Sequence, residues 1–292
     1  ALRSDSGSPG PLLREHLNKD PAPTAFHARP GRILPTEVTP NTRSEALNCA
    51  DRKHWEFAEN AEFDQLGDAD TWELVPRRLA RNVISGKWVY KIKRDALGAI
   101  SRYKARWVAR GFSQLEGVDY DEIFAPVVRY SSIRLLLSLA NHHNLDLAGL
   151  DISNAFARAK VTEELYVEMP HGFQKFAADG QRLVCKLRHG LYGTKQAARD
   201  WHNCFRTHLL ADGWIPYESD PCVFSRRTPK FGLEYLSIYV DDGLHLSERP
   251  GAHAALVAYL NKAFPTTSQD ALSEMLSMHF TRDRPNRKLG VC

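Results

Sequence analysis

An apolar strand that ends in two adjacent acids is the feature of this sequence that most constrains its fold. The run from Tyr235 to Val240 is apolar and aromatic, and Asp241, Asp242 and Gly243 follow it directly. Such a run followed by Asp-Gly is typical of a β-hairpin, so the sequence predicts a hairpin with both acids at its tip. Buried paired acids are costly unless a cation or hydrogen bonds compensate them, and Mg²⁺ prefers carboxylate oxygen. The alternative is a structural turn, because Asp and Gly are common turn residues.

A third acid, Asp151, ends another apolar segment, and that segment predicts a strand over residues 145–152. Strands in one α+β layer could bring Asp151 close to Asp241 and Asp242, so that the three carboxylates share one metal site. Two metal ions about 4 Å apart can stabilise both the attacking and the leaving oxygen of a phosphoryl transfer. The three acids are therefore candidate metal ligands.

Composition limits the class of protein. The 292 residues are 43% hydrophobic, which is enough for a sizeable core. Mean hydropathy is −0.42, and no apolar run approaches the roughly 18 residues of a membrane span, so none is predicted. The five cysteines are scattered and form no C-x-x-C pair, which favours a reduced, intracellular chain without structural zinc.

Positive charge is concentrated in one stretch of the chain. Residues 77–110 contain eleven Lys and Arg residues and a single acid, Asp95, whereas the net charge of the whole chain is only +4. This local excess fits a surface that binds a polyanion. The alternative is a solvated basic face without a partner.

The N-terminal segment differs in composition from the rest. Residues 1–43 contain seven of the sixteen prolines and little apolar periodicity. This composition predicts a disordered, proline-rich linker, with ordered sequence beginning near Ser44.

Periodicity predicts the elements of the ordered part. Bases alternate with apolar residues over 86–93 and 103–110, which predicts a basic antiparallel hairpin with a turn at 96–98. A further strand is predicted at residues 183–187. Four helices are predicted at the following places: Trp55 to Leu66, from a cap at Ser131 or Ser132 onward, Trp201 to a stop at Gly213, and Leu256 to Phe264. These elements together predict an α+β architecture.

Several blocks of the sequence, taken in order, resemble the reverse transcriptases of copia-like long-terminal-repeat retrotransposons. The similarity covers residues 44–264 and includes the segment from Tyr239 to Asp242. The other blocks are residues 71–76, 87–93, 103–112, 117–120, 150–156 and 191–201.

The resemblance implies a right-hand polymerase with fingers and a ferredoxin-like palm. Residues 44–130 correspond to the fingers, and residues 131–264 correspond to a palm into which a fingers segment is interleaved. The sequence departs from the family pattern near its C-terminus, where Leu272-Ser273 and Leu276-Ser277 stand in place of two Leu-Gly pairs. Residues 265–292 are therefore expected to be a truncated, divergent start of a thumb, so that the thumb is absent or incomplete.

The resemblance also implies roles for the acids. Asp151, Asp241 and Asp242 match the catalytic residues that hold two Mg²⁺ ions, with Mn²⁺ as an alternative. Asp241 is expected to be the stronger ligand of the adjacent pair, because successive strand side chains point to opposite faces. Tyr239 is expected to pack near the primer end.

Other residues match the family's nucleotide site. Bases of the fingers hairpin are expected to grip the triphosphate, and the candidates are Lys93, Arg94, Lys104 and Arg106. Phe156 matches an aromatic gate that would clash with a ribose 2′-hydroxyl, although a core Phe is the alternative.

Three further residues of the block at 191–201 receive roles from the resemblance. Tyr192 and Gly193 are expected to line the nucleotide or template side, and glycine there would permit a close backbone approach. Lys195 is expected to contact a backbone phosphate.

The function implied is that of an RNA-directed DNA polymerase, a nucleotidyltransferase that adds deoxynucleotides to a primer 3′-hydroxyl. Its partners would be an RNA template, a DNA primer or hybrid, deoxynucleoside triphosphates, and the thumb, RNase H and integrase segments of a longer Pol polyprotein. No membrane is involved, and the expected location is intracellular, in cytoplasmic virus-like particles or the nucleus. The alternative is an inert relic or fragment that at most binds nucleic acid.

Overall fold

The computed structural model describes residues 37–95, 97–270, 272–276 and 278–292. Most of the predicted linker over residues 1–43 lies outside these residues, as do Ala96 of the predicted turn and Ser277. The first helix begins at Arg43, and the Thr42 hydroxyl accepts a hydrogen bond from the Glu45 amide. The predicted start of ordered sequence at Ser44 therefore falls within the first turn of a capped helix.

The described residues form five helices and several antiparallel strands. The helices are α1 (Arg43–Leu47), α2 (Arg52–Asp68), α3 (Tyr130–His142), α4 (Ala197–Ala211) and α5 (Ala252–Leu260). The first seven strands are β1 (Trp72–Pro76), β2 (Gly86–Arg94), β3 (Ile100–Ala109), β4 (Asp146–Ile152), β5 (Tyr166–Glu168), β6 (Leu183–Leu187) and β7 (Ile215–Pro216). The remaining strands are β8 (Val223–Thr228), β9 (Gly232–Tyr239), β10 (Asp242–Ser247), β11 (Thr266–Gln269), β12 (Glu274–Met275), β13 (Met278–Asp283) and β14 (Lys288–Val291).

The largest sheet has six strands in the order β11-β4-β10-β9-β8-β7, and every neighbouring pair is antiparallel. Strands that are adjacent in the chain, β9 and β10, form the predicted acidic hairpin. Strand β4 lies beside β10, so residues some ninety positions apart in the chain become neighbours. The sheet therefore determines which side chains meet at the tip of the hairpin.

A second unit is built on the basic hairpin β2-β3, against which helix α2 packs. Its core contains Trp55 from α2 together with Trp88 and Trp107, which face each other across the hairpin. The same core receives Val167 and Leu187 from the three-stranded sheet β1-β6-β5. Residues near 161–191 therefore pack with the N-terminal unit although they follow the first strand of the large sheet.

Most predicted elements are confirmed. The strand 183–187, the basic hairpin and the stop of α4 before Gly213 are present, and Gly213 has a φ of +78°. Helix α3 begins at Tyr130 without a side-chain cap, so the predicted cap at Ser131 or Ser132 is wrong. The Ser132 hydroxyl donates instead to Asp220 at 2.6 Å, which ties the helix to the segment before β8.

Other boundaries differ from the predictions. Helix α5 ends at Leu260, and Phe264 lies buried just beyond it. Strands β1, β5, β7, β8 and β11 to β14 were not predicted, because their alternation of apolar and polar residues is short or interrupted. The α+β class is confirmed. No helix among the described residues combines the length and apolar character needed to cross a membrane.

Candidate active site

The acidic hairpin and strand β4 bring two aspartates into direct opposition. Asp242 pairs with Asp151 across β10 and β4, and Tyr239 pairs with Asp242 across the hairpin. On the other side of Asp151, strand β11 places Thr267 opposite it. Residues directly opposite each other in antiparallel strands share a face, so these four side chains form one row across the sheet. Asp241 lies next to this row, in the two-residue turn.

The turn itself has an unusual backbone. Val240 has a φ of +59°, a region that β-branched residues rarely occupy. The Val240 carbonyl accepts a hydrogen bond from the Trp201 indole N–H at 2.6 Å. The Asp241 carbonyl accepts one from the Ile152 amide at 2.9 Å, and Ile152 directly follows Asp151. The turn is therefore fixed to both helix α4 and strand β4.

The carboxylates repel one another. Burial raises the pKa of Asp242 to about 6, and the charges of Asp241 and Asp151 add to the effect. Burial and the charge of Asp241 also raise the pKa of Asp151, although this residue remains partly accessible to solvent. Among the described residues, no donor forms a hydrogen bond with the carboxylate of Asp151 or Asp242. The cluster therefore has negative charge that hydrogen bonds do not compensate.

The chemistry of this cluster fits Mg²⁺. Its donors are carboxylate oxygens, and their mutual repulsion would be relieved by a divalent cation. No group of three or more His, Cys, Asp or Glu side chains in the described part of the chain is arranged to hold an ion by itself. Mg²⁺ is commonly held by one or two carboxylates together with substrate phosphates, so an open cluster suits it better than a closed cage.

Three bases of the hairpin β2-β3 act on the cluster. Lys104, Lys93 and Arg106 each lower the pKa of Asp151, which means that their charges lie close enough to attract its carboxylate. Burial lowers the pKa of Lys104, and the neighbouring charges of Arg106 and Lys93 lower it further. These three bases repel one another, so they too would be stabilised by an anion between them.

Arg94 is engaged elsewhere. Its guanidinium forms an ion pair with Glu37 at 3.2 Å and donates to the Gly98 carbonyl at 2.9 Å. It lies at the far end of the hairpin strand, next to an irregularity in the pairing of β2 with β3. Of the four predicted bases, the structure therefore brings together Lys93, Lys104 and Arg106 and sets Arg94 apart.

A stack of side chains connects the basic hairpin to the acids. The Arg106 guanidinium lies 4.5 Å from the centre of the Tyr192 ring, as in a cation–π contact. The Tyr192 ring meets Phe156 edge-to-face, with ring centres 5.0 Å apart. Burial raises the pKa of Tyr192, and the charges of Asp241 and Asp151 raise it as well, whereas Arg106 opposes them. Tyr192 therefore lies between the basic and acidic groups.

Phe156 lies in a single 3₁₀ turn, Ala155–Arg158, a few residues after Asp151. It is partly buried against the main core, and the side of its ring also borders a small apolar cavity that includes Trp201 and Val240. Its position fits both a core residue and an aromatic gate, since the ring packs on the core and also contacts Tyr192 near the acids.

Gly193 and Lys195 contact protein groups in the structure. Gly193 has a φ of +86°, and a Cβ there would clash with the Ala109 carbonyl oxygen. The close approach predicted for this glycine is thus made to strand β3. The Lys195 ammonium donates to the Tyr120 hydroxyl at 2.6 Å and lies over the Tyr120 ring.

Three neighbours of the site were not identified from the sequence. Thr267 completes the row beside Asp151, and Trp201 binds the turn. Glu62 of α2 is buried, accepts from the Trp107 amide, and lies near enough to Arg106 and Lys104 for their charges to lower its pKa, although burial raises it overall. An acid within an apolar helix face is the signal that could have indicated Glu62.

Comparison with protein families gives a match over most of the chain. Residues 69–290 match the family described as "Reverse transcriptase (RNA-dependent DNA polymerase)". The match includes the three aspartates, the basic hairpin and the strands of the large sheet. Helix α2, which contains Glu62, lies before the matched region.

Curated relatives are transposon polyproteins. The chain is 36% identical over 259 residues to the retrovirus-related Pol polyprotein from transposon TNT 1-94 of Nicotiana tabacum, covering 89% of this chain and 19% of that protein. It is 34% identical over 251 residues to the corresponding polyprotein from transposon RE1 of Arabidopsis thaliana, covering 85% and 17%. The Ty1-DR5 Gag-Pol polyprotein of Saccharomyces cerevisiae is 28% identical over 219 residues, covering 72% and 11%. The chain thus spans about a fifth or less of each relative's length.

Proposed function

The chain belongs to the reverse transcriptase (RNA-dependent DNA polymerase) family, in the branch of copia-type retrotransposon Pol polyproteins, and we propose that it extends a DNA primer on an RNA template. The observation that supports this most is the direct pairing of Asp242 with Asp151, beside Asp241 in the turn. Phosphoryl transfer depends largely on positioning and on neutralising charge, which is what such a carboxylate cluster can do.

The three aspartates are the proposed catalytic residues. Asp151, Asp241 and Asp242 would hold two Mg²⁺ ions, which when bound favour ionisation of the primer 3′-hydroxyl and neutralise the leaving pyrophosphate. Asp151 and Asp242 share a face of the sheet, so both can turn toward the same ligand. From the sequence, Asp241 was expected to be the stronger metal ligand of the adjacent pair. The pairing with Asp151 supports a larger role for Asp242 in metal binding than that expectation gave it.

The bases opposite the acids are the proposed triphosphate site. Lys93, Lys104 and Arg106 face the cluster, and their mutual repulsion would be relieved by the polyphosphate of a nucleotide. Tyr192 supports Arg106 through its ring, and Phe156 would lie under the incoming sugar as the gate against ribonucleotides. Tyr239, in the same row as Asp242, would pack near the primer end.

The architecture supports a corresponding assignment of subdomains. The six-stranded sheet would be the palm, and the basic hairpin with helix α2 would form the fingers. Lys195 is bound to Tyr120, so contact with a phosphate would require it to exchange that partner. Residues 266–269 add a strand to the large sheet, and Met275 and Phe280 pack into its core. Any thumb would therefore begin after a segment that is part of this core.

Template and primer would be bound through their backbones, because the clustered positive charge of the basic hairpin attracts phosphates whatever the base sequence. The remaining parts of the relatives' polyproteins would supply a thumb, RNase H and integrase, and the complex would act inside the cell. Binding without catalysis, as in an inert relic, is the alternative outcome.

The test is primer extension by the 292-residue chain on an RNA template with Mg²⁺. We expect incorporation of deoxynucleotides by the wild type and a loss of at least about a thousandfold in Asp241→Asn, because one ligand of the cluster is lost. Asp64→Asn, at an exposed position of α2, is the matched control and should retain full activity. Activity that Asp241→Asn leaves unchanged would reject the role of Asp241, and an inactive wild type that still binds hybrid would favour the relic.

A further inference from the structure

The two-residue turn Val240–Asp241, which joins β9 to β10, is held in an unfavourable backbone conformation. Val240 has a positive φ, which its two Cβ methyl groups make sterically costly. Glycine or asparagine is the usual residue at such a position in a two-residue hairpin turn. A turn with valine there persists only where surrounding contacts hold it.

Two hydrogen bonds from different elements hold this turn. The Trp201 indole donates to the Val240 carbonyl at 2.6 Å, and the Ile152 amide donates to the Asp241 carbonyl at 2.9 Å. The second bond comes from β4, the strand of Asp151, and is an extension of the sheet. The first comes from helix α4, which is not a neighbour of the hairpin in the chain. Together they hold the two successive peptide groups, Val240–Asp241 and Asp241–Asp242, that flank Asp241.

Trp201 is itself buried among aromatic side chains. Its side chain is 3% exposed, and it packs against Phe205 and Phe264, with ring centres 5.3 Å and 5.2 Å away. A donor held this rigidly defines the position of its acceptor, whereas a flexible side chain would follow the turn.

The bond is not a general consequence of burying an indole. Trp55 and Trp214 are as deeply buried as Trp201, and their indole nitrogens have no hydrogen-bond partner among the described residues. The fold therefore tolerates buried indoles without acceptors, and the bond to Val240 calls for its own explanation.

We propose that Trp201 is a positioning residue that holds the Val240–Asp241 turn in its left-handed conformation and thereby sets the placement of Asp241 and Asp242 relative to Asp151. Trp201 contacts no substrate in this account and acts through the Val240 carbonyl. The consequence for metal binding rests on the proposed function, whereas the effect on the turn does not.

The first measurement is amide hydrogen exchange of the hairpin, residues 232–247, in Trp201→Phe. This change removes the indole donor and keeps an aromatic ring. We expect exchange at the turn to accelerate at least about fivefold, because the turn opens locally when the bond is lost. Trp214→Phe is the matched control, since it removes an equally buried indole without a partner, and it should leave exchange at the turn within about twofold of the wild type.

The second measurement is Mn²⁺ binding, followed by electron paramagnetic resonance, in the same variants and in Val240→Gly. We expect Trp201→Phe to weaken binding about fivefold in the wild-type background. In the Val240→Gly background, Trp201→Phe should weaken Mn²⁺ binding by less than about twofold, because glycine adopts the positive φ without strain and the turn stays in place.

The outcomes separate this inference from the proposed function. Unchanged exchange at the turn in Trp201→Phe overturns the positioning role, whatever the metal results. Faster exchange in a chain that binds no Mn²⁺ supports the turn contact and rejects the metal site. Faster exchange with Mn²⁺ affinity equal to that of the wild type overturns the claim that the contact serves the acids.

Discussion

Arg106 is the residue whose contacts most directly join the two charged halves of the site. Its guanidinium stacks on Tyr192 and its charge reaches Asp151. We expect Arg106→Lys to raise the KM for deoxynucleotide about fivefold with a smaller change in kcat, because lysine keeps the charge and loses the planar contact. Steady-state incorporation of a single nucleotide measures both constants.

Arg94 offers the matched control for that experiment. It lies on the same hairpin but is bound to Glu37 and Gly98. Arg94→Lys should leave the KM for deoxynucleotide within about twofold of the wild type. An effect of Arg94→Lys as large as that of Arg106→Lys would show that general charge on the hairpin, and no specific contact, governs nucleotide binding.

Substitution of Phe156 distinguishes a role as a gate against ribonucleotides from a role in the core. If its ring excludes a 2′-hydroxyl, Phe156→Ala should reduce the preference for deoxynucleotides over ribonucleotides by about tenfold or more, as removal of a steric barrier does. The ratio of kcat/KM for the two sugars is the measurement. A variant that loses stability but keeps its sugar preference would identify Phe156 as a core residue.

At the scale of elements, the contact between the block at 191–201 and strand β3 depends on one glycine. A Cβ at Gly193 would require both an unfavourable φ and a clash with the Ala109 carbonyl. We expect Gly193→Ala to lower the free energy of unfolding by about 3 kcal/mol or more, measured by urea denaturation.

Gly180 provides a control with the same backbone and open space around it. Its φ is +79°, and a Cβ there would meet nothing within 4 Å. Gly180→Ala should lower the free energy of unfolding by only about 1 kcal/mol, which is the penalty of the left-handed conformation alone. Equal costs at the two glycines would mean that β3 and the 191–201 block are not held together by this close approach.

Elements with a clear period were predictable from the sequence, and contacts between elements were not. The basic hairpin shows alternation and the acidic hairpin shows an apolar run, each with a turn signal that local steric preferences translate into structure. The stripe of Ile133, Leu136, Leu137 and Ala140 is buried as its spacing implies. Strand β8 escaped prediction because Arg226 and Arg227 interrupt its apolar pattern, and Arg226 is neutralised by Glu234 only in the folded sheet.

In the candidate site, too, individual residues were predictable from the sequence, whereas the contacts between them were not. The acids were identified from the strands in which they lie, and their proximity follows from antiparallel pairing that the sequence does not specify. The bond from Trp201 to Val240 joins residues thirty-nine positions apart, and the sequence contains no local signal for it. The resemblance to a family identified candidate residues, whereas the register of the strands determines which of them meet.

At the scale of the whole molecule, five histidines with lowered pKa values influence how stability depends on pH. Burial lowers the pKa of each of the following residues: His171, His202, His208, His245 and His253. For His253 the value falls to about 4, and the charge of His245 adds to the effect. The folded state thus favours the neutral form, and the unfolded chain binds more protons between about pH 6.5 and pH 4.

We therefore expect the free energy of unfolding to fall as the pH is lowered from about 6.5 toward 4, measured by urea denaturation in EDTA. Asp242, Asp151, Glu62 and Asp200 act in the opposite direction, because burial raises their pKa values and the folded-state penalty of their charged forms diminishes as the pH falls. For Asp242 the raised pKa is about 6. His253→Asn should reduce the fall in the free energy of unfolding between about pH 6.5 and pH 4, since it removes one group that becomes charged on unfolding. Stability that rises steadily toward pH 4.5 would contradict the dominance of the histidines.

Carboxylates from two separate elements are proposed to serve one metal site, and Mn²⁺ titration of single and double variants measures whether they do. We expect Asp151→Asn, in β4, and Asp241→Asn, in the hairpin, each to weaken Mn²⁺ binding by at least about tenfold. The double variant should bind little more weakly than either single one, as for residues that act as a unit. Asp64→Asn should bind as the wild type does. Independent losses that add in the double variant, or binding unaffected by Asp151→Asn, would contradict a shared site.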